Sequence, residues 1–210
     1  MKKQQKNNAT NWDLYYQELP PKIILKGRKI HENLLVELLR GKKIKTALEF
    51  GGANSKIAER FAKEFHLNEL LIIDNNKYGL ELTKKDIKGD SLKTQLGDIL
   101  KTNVSKKYDL VYSVGLIEHF STAGTKKCIK KHVDSTKSGG YVLLSFPTPT
   151  LQYKIVRFGL ELLNLWRFSD ERPLKISEVA DELKKYGKIE KTTINYKLLS
   201  TQAVVLLQKD

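Results

Sequence analysis

KTALEFGGANSKIAERF, residues 45–61, is the stretch whose reading decides the fold. Thr46 to Phe50 is a short β-leaning run that carries a carboxylate, Glu49, near its end. Gly51 and Gly52 follow at once, then small or polar residues from Ala53 to Ser55. Beyond them Ile57, Ala58, Phe61, Ala62 and Phe65 recur with the period of a helix. A strand, a glycine-hinged turn and a helix form a cradle of the nucleotide-binding type. Glycine lets the backbone approach a ligand where a Cβ would block it, and the helix start offers free N–H groups.

The rest of the chain repeats the pattern. Glu69–Asp74 (ELLIID) is a second apolar strand ending in a carboxylate, followed by a helix over Gly79–Asp86. Lys93–Leu96 is a weak third strand that runs into Gly97-Asp98. Tyr108–Ser113 is the fourth strand, Thr125–Thr136 a basic amphipathic helix, Ser138-Gly139-Gly140 a turn and Tyr141–Phe146 the fifth strand. Short, continuously apolar strands alternating with helices predict an α/β fold with a parallel sheet covered on both faces. Pro147-Thr148-Pro149 breaks the rhythm, and Leu151–Phe168 is unusually apolar and aromatic. Ser177–Tyr186 reads as a helix stopped by Gly187; Ile189–Tyr196 and Gln202–Gln208 read as an antiparallel hairpin, because five residues cannot hold a crossover. At the other end, Trp12–Leu19 is a short aromatic helix stopped by Pro20-Pro21. Ile23–Leu39 is a second helix, interrupted by Gly27 and ended by Gly41 with Lys42-Lys43. The expected organisation is an N-terminal helical cap over 1–45 and one domain over 46–210, with a lid insertion at 148–175.

The 210 residues suffice for one α/β domain with a proper core. A single cysteine, Cys128, excludes an internal disulfide framework and points to a reducing, cytoplasmic setting. No stretch approaches the roughly 20 apolar residues of a membrane span. MKKQQKNNATN, residues 1–11, lacks the apolar core of a secretory signal and reads as a short disordered lead. The net charge is +14, carried by 32 Lys and 6 Arg. Such a field attracts nucleic acid, anionic lipid or an acidic substrate, or serves only solubility. Base-reading proteins favour Arg and aromatic platforms over scattered Lys, so nucleic acid is the disfavoured partner.

Carboxylates stand at three strand ends, Glu49, Asp74 and Asp98, spaced by one β-α repeat. In a doubly wound sheet the ligand lies across those ends, and an acid after the second strand suits ribose hydroxyls. The plainer alternative is that Asp74 and Asp98 cap helices. The dinucleotide pattern G-x-G-x-x-G fails, since the later glycine positions hold Ala53 and Lys56. Glu49 would also repel pyrophosphate. An acid before the glycine turn suits a cationic nucleoside instead.

These segments resemble the class I S-adenosylmethionine-dependent methyltransferases. ALEFGGANS (47–55) is similar to their glycine motif and IIDNN (72–76) to their ribose motif. GDIL (97–100) is similar to their adenine motif, YDLVYSVGLIEHF (108–120) to the segment after strand four, and SGGYVLLSFPTP (138–149) to strand five. The resemblance implies a Rossmann-like three-layer α-β-α sandwich whose seven-stranded sheet is mostly parallel with an antiparallel last strand. It implies S-adenosylmethionine as cofactor and S-adenosylhomocysteine as product. By motif, Glu49, Gly51, Gly52 and Ala53 face the methionine half, Asp74 and Asn75 the ribose, Asp98 and Ile99 the adenine, and Ser113 and Val114 the sulfonium. The chain departs from the family at Ala53 and Ser55, where further glycines are usual; Ser55 is free to cap the helix. Some ubiquinone-pathway relatives bind metal through E-x-x-E-H. Here Gly115 holds the first position, so no metal is expected.

The expected reaction is methyl transfer to a hydroxyl or amine of a small-molecule or glycan-type acceptor, anionic if the basic surface draws it. His119, after strand four, is the candidate base, or else a wall residue. His31, His66 and His132 show no partner motif and read as helix-surface residues. Leu151–Phe168 reads as a lid lined by Tyr153, Phe158 and Trp166, as a dimer face, as a membrane-surface contact or as a core helix. Trp12, Tyr15 and Tyr16 are expected to fold over the cofactor. A nucleic-acid methyltransferase and a non-catalytic S-adenosylmethionine-binding protein are the alternatives, and the chain is expected to be a monomer or homodimer.

Overall fold

A computed structural model describes residues 9–17, 22–87, 89 and 91–210, the side chains of 22–24 excepted. The expected lead over 1–8 and the Pro20-Pro21 stop lie outside those residues. The sheet contains β1 (Thr46–Phe50), β2 (Glu69–Asp74), β3 (Leu92–Leu96), β4 (Tyr108–Val114), β5 (Thr136–Pro147), β6 (Gly187–Asn195) and β7 (Gln202–Lys209). Their order is β3-β2-β1-β4-β5-β7-β6. β1 to β5 pair in parallel, and β7 runs antiparallel to both of its neighbours. The chain therefore winds outward from β1 to β3 and returns to β4. The crevice of a doubly wound sheet opens at that reversal, over the carboxyl ends of β1 and β4.

Both faces are covered, which is why the central strands are apolar throughout. Leu48, Phe50, Val111, Val142 and Leu144 pack on one side beneath α5 (Thr122–Asp134) and α7 (Ile176–Leu183). Ala47, Leu70, Ile72, Leu110, Tyr112 and Leu143 pack on the other, beneath α2 (Lys22–Leu39), α3 (Lys56–Glu64) and α4 (Lys77–Asp86). Glu49 alternates with Leu48 and Phe50 and so falls on the α3 side, where it stands level with Tyr112 of β4. α1 (Trp12–Gln17) and α6 (Leu151–Leu162) complete the helices, and no helix among the described residues is long and apolar enough to cross a membrane.

The departures from expectation have local causes. α2 runs through Gly27 without a break, and a Cβ there would come within 3.2 Å of Leu198, so glycine admits the β6–β7 turn. α5 starts at Thr122 because Ser121 accepts from the Gly124 N–H and caps it. β5 starts at Thr136: the expected Ser138-Gly139-Gly140 turn is an irregularity within the strand, with Gly139 at φ +72° and a register shift opposite Tyr108 and Leu110. The largest correction concerns the histidines. His66 is exposed, but His31 and His132 are buried rather than on helix surfaces. His31 joins α2 to the sheet through Ser145 Oγ (2.8 Å) and Asn195 Nδ2 (3.2 Å). His132 packs edge-on against Phe50 and bonds the Cys128 carbonyl (2.8 Å). Burial lowers both imidazoles to about 4, so each is a neutral polar link within the core.

Candidate active site

The glycine turn is built around Glu49. Its carboxylate accepts from Ser55 Oγ (2.9 Å) and Tyr112 Oη (3.0 Å), and among the described residues no cation pairs with it. Desolvation pushes its pKa up to about 8, with Asp74 adding to the rise against those two hydrogen bonds. Gly52 is obligatory beside it, because a Cβ would lie 2.5 Å from Glu49 Cδ. Gly51 adopts φ +70°, where a Cβ would also meet Leu116 at 2.7 Å. Ser55 caps α3 by accepting from the Ala58 N–H (3.1 Å) while donating to Glu49, so one hydroxyl fixes both helix start and carboxylate.

Asp74 is buried at the end of β2. Its Oδ2 accepts from the Ala53 N–H (3.0 Å) and its Oδ1 from the Asn76 N–H (2.7 Å). Burial raises it and those bonds oppose the rise. The helix cap, the plainer alternative for Asp74, falls to Asn76, which accepts from the Gly79 N–H (2.6 Å). Asp74 instead ties the glycine turn to the start of α4, with acceptor positions left over. Asn75 is exposed next to it and borders a surface pocket with Asp13, Asn76, Lys77, Tyr78 and Glu81. Asp98 is exposed, accepts from the Leu100 N–H (2.9 Å) and pairs with Lys101; Ile99 is buried behind it. Ser113 is buried at the end of β4 with an Oγ that has no hydrogen-bond partner among the described residues, and Val114 is half-buried after it. A second hollow, lined by Arg40 to Lys43, Gly139 and Tyr141, opens at the opposite ends of the strands and bears on none of this.

The sequence reading missed the partners of His119. It sits on a 3-10 turn, Ile117–His119, right after β4, and its Nδ1 lies 3.0 Å from Asp170 Oδ1. A carboxylate only accepts, so Nδ1 carries the proton and Nε2 the lone pair. Desolvation lowers the imidazole below its ordinary value, with Asp170 partly restoring it. Thr10 Oγ also donates to Asp170. Glu118 is 1% exposed with one oxygen unpartnered, and burial raises it far above the usual carboxylate range, with Glu171 and Asp170 adding to the rise. Burial raises Glu171 too, and Tyr153 Oη donates to it. Donor atoms of Glu118, His119 and Glu171 lie within 4.8 Å of one another. The third donor that Gly115 denies the local motif is thus supplied from fifty residues away.

Aromatic rings roof this corner. Trp12 meets His119 edge-on (5.1 Å), stacks on Tyr16 (6.0 Å) and contacts Phe168 (6.0 Å). Tyr16 packs against Gly79 of α4, where a Cβ would come within 2.9 Å of its ring. Its hydroxyl is raised by burial and by Asp74, Tyr15 and Glu49. α1 therefore spans the crevice from α4 to His119. Of the expected lid residues, Tyr153 and Trp166 face inward, with Trp166 Nε1 donating to the Phe168 carbonyl (2.9 Å). Phe158 is 69% exposed and lines nothing.

Seven strands in this order, a glycine turn backed by a buried acid and a second acid closing β2 define the Rossmann-like fold of class I methyltransferases. Residues 47–140 match the profile of a family described as "Methyltransferase domain". The chain superposes on magnesium protoporphyrin IX methyltransferase from Synechocystis PCC 6803, determined with bound S-adenosylhomocysteine. The TM-score is 0.75 and the identity 14%, over 95% of this chain and 93% of that one. It superposes on the N-methyltransferase NodS from Bradyrhizobium japonicum WM9 with a TM-score of 0.69 at 15% identity, over 94% and 97%. A TehB-like S-adenosylmethionine-dependent methyltransferase from Corynebacterium glutamicum aligns with a TM-score of 0.62 at 14% identity, over 85% and 87%. None of the curated proteins compared matches in sequence. Residues 47–140 are thus similar to a methyltransferase domain, set in the fold of the class I methyltransferases, the class whose methyl donor is S-adenosylmethionine.

Proposed function

We propose that this enzyme methylates a hydroxyl or amine on a small or glycan-type acceptor, with His119 as the base. The single observation that carries the reading is the His119–Asp170 pair beside the glycine cradle. The donor brings its own leaving group, so the chain's task is to bind, orient and exclude water. Glu49, buried with hydroxyls as its only side-chain partners among the described residues, suits the positive charges of the methionine half. Gly51, Gly52 and Ala53 bring backbone to it. Asp74 and Asn75 take the ribose, Asp98 and Ile99 border the adenine, and Ser113 with its orphaned Oγ stands with Val114 on the sulfonium side. His119 Nε2 accepts the acceptor's proton as the methyl arrives; Asp170 holds the Nδ1 proton and stabilises the imidazolium.

Asp170, whose pKa is lowered, keeps its charge beside His119, with Asp74 and Asp13 at the neighbouring strand end, in a chain whose net charge is +14. An anionic acceptor would meet them, so a neutral or cationic one fits better than the anionic acceptor that the overall charge suggests. Binding of S-adenosylmethionine by calorimetry, then release of S-adenosylhomocysteine with a panel of amines, alcohols and carboxylic acids, tests both parts. Turnover is expected with amines or alcohols. Carboxylic acids as the only substrates would overturn the acceptor class, and absent cofactor binding would sink the whole reading.

A further inference from the structure

Leu151, Ile155, Phe158 and Leu162 of α6 are between 62% and 75% exposed. Their spacing sets them within about 60° of one another around the helix, a single stripe about 18 Å long. The opposite face is the packed one: Tyr153 is buried, and Gln152 donates to the carbonyls of Leu198 (2.6 Å) and Tyr196 (3.2 Å). That bond fastens the β6–β7 turn beside the stripe and adds two more exposed apolar residues, Tyr196 (58%) and Leu199 (47%). Leu163 and Leu165 extend it past the helix end, at 65% and 53% exposed. Scattered exposed apolar residues are ordinary, but four on one helical stripe with four more on the adjoining turns mark a contact surface.

We propose that this face docks on an anionic lipid surface. Charge selects that occupant. Lys154 and Lys197 stand exposed on the helix and the turn that carry the apolar stripe, whereas Arg157 is engaged with Glu161, the Tyr153 hydroxyl and the Glu171 carbonyl. A second copy would bring the same positive rim against itself, whereas an anionic surface neutralises it. Long cationic side chains can lie along the apolar residues and hold their charges at headgroup level. The segment after α6 runs directly to Phe168, Asp170 and Glu171, so docking here sets the His119 corner one short connection from the lipid. The surface stands on exposure and charge alone and does not depend on the acceptor chemistry.

Cosedimentation of the full chain with phosphatidylcholine vesicles, with and without phosphatidylglycerol, tests the proposal. Binding is expected with phosphatidylglycerol, weak without it, and reduced as salt rises. Phe158→Ser and Ile155→Ser should each weaken it by roughly tenfold. Both positions are exposed, and retained S-adenosylmethionine binding shows that the variants fold. No sedimentation with the anionic vesicles overturns the proposal. Sedimentation that Phe158→Ser and Ile155→Ser leave unchanged also overturns it, since it would be plain electrostatic adsorption. A dimer that Phe158→Ser dissociates would give the face to a second copy instead.

Discussion

Glu49, buried, and His119, half-buried, are titratable groups displaced in opposite senses by the same cause, loss of water. For Glu49 the protonated form is favoured, with a pKa near 8. Between the ordinary carboxylate value and about 8 the folded chain holds a proton that the unfolded chain has released. Its contribution to stability therefore falls as pH rises through that window. A cationic ligand favours the ionised form. S-adenosylmethionine should accordingly bind more tightly as pH climbs toward 8, releasing a proton detectable by calorimetry in buffers of different ionisation enthalpy, and Glu49→Gln should flatten that dependence. For His119 the neutral form is favoured, so the acid limb of kcat/KM should lie below the ordinary imidazole value. Asp170→Asn replaces the acceptor-only carboxylate by an amide that can also donate, so the tautomer is no longer fixed. Turnover is expected to fall roughly a hundredfold or more while cofactor affinity holds. A pH-rate profile unmoved by Asp170→Asn would reduce His119 to a wall residue.

The glycine turn and α3 act as one element because Ser55 serves both. Ser55→Ala removes a helix cap, which costs about 1 kcal/mol of stability, and frees one oxygen of Glu49. Gly52→Ala differs: it adds a Cβ into Glu49 without touching a cap. Denaturant titration and cofactor calorimetry should separate the two. Ser55→Ala is expected to lower stability and affinity together. Gly52→Ala is expected to lower affinity by roughly tenfold or more through displaced Glu49, a loss of the size ascribed to one misplaced charge-assisted bond. Equal cofactor affinity in Gly52→Ala and the parent would show that Glu49 does not touch the ligand.

For the whole molecule, cofactor binding is linked to folding. At a hundred times its dissociation constant, S-adenosylmethionine should stabilise the chain by about 2.7 kcal/mol, raising Tm by several degrees. Dialysis against a chelator tests the grouping of Glu118, His119 and Glu171. Unchanged turnover is expected, since burial favours the uncharged form of Glu118 and Glu171 already accepts from Tyr153. A loss of turnover restored by a divalent cation would reassign the three as ligands. The charge contrast also belongs to this scale: the net charge of +14 suggests an anionic acceptor, and the charge beside His119 supports the neutral or cationic one proposed above.

Local chemistry determined the cradle. β1 and β2 carry the bounds read from their apolar runs, and Ser55 caps α3 as its position before the helix implies. The closing hairpin and the antiparallel last strand also followed from a link too short for a crossover. These are interactions between neighbours in the chain, so residue order encodes them. Asp170 and Glu171 lie fifty residues from His119 and belong to no pattern around it. Trp12 reaches the same imidazole from the far end of the chain. His31 and His132 look like surface residues until Ser145, Asn195 and Phe50 close on them. Those pairings, like the bare stripe on α6, exist only once the sheet has ordered its strands. Which distant side chains meet is set by packing, and no local periodicity carries that information.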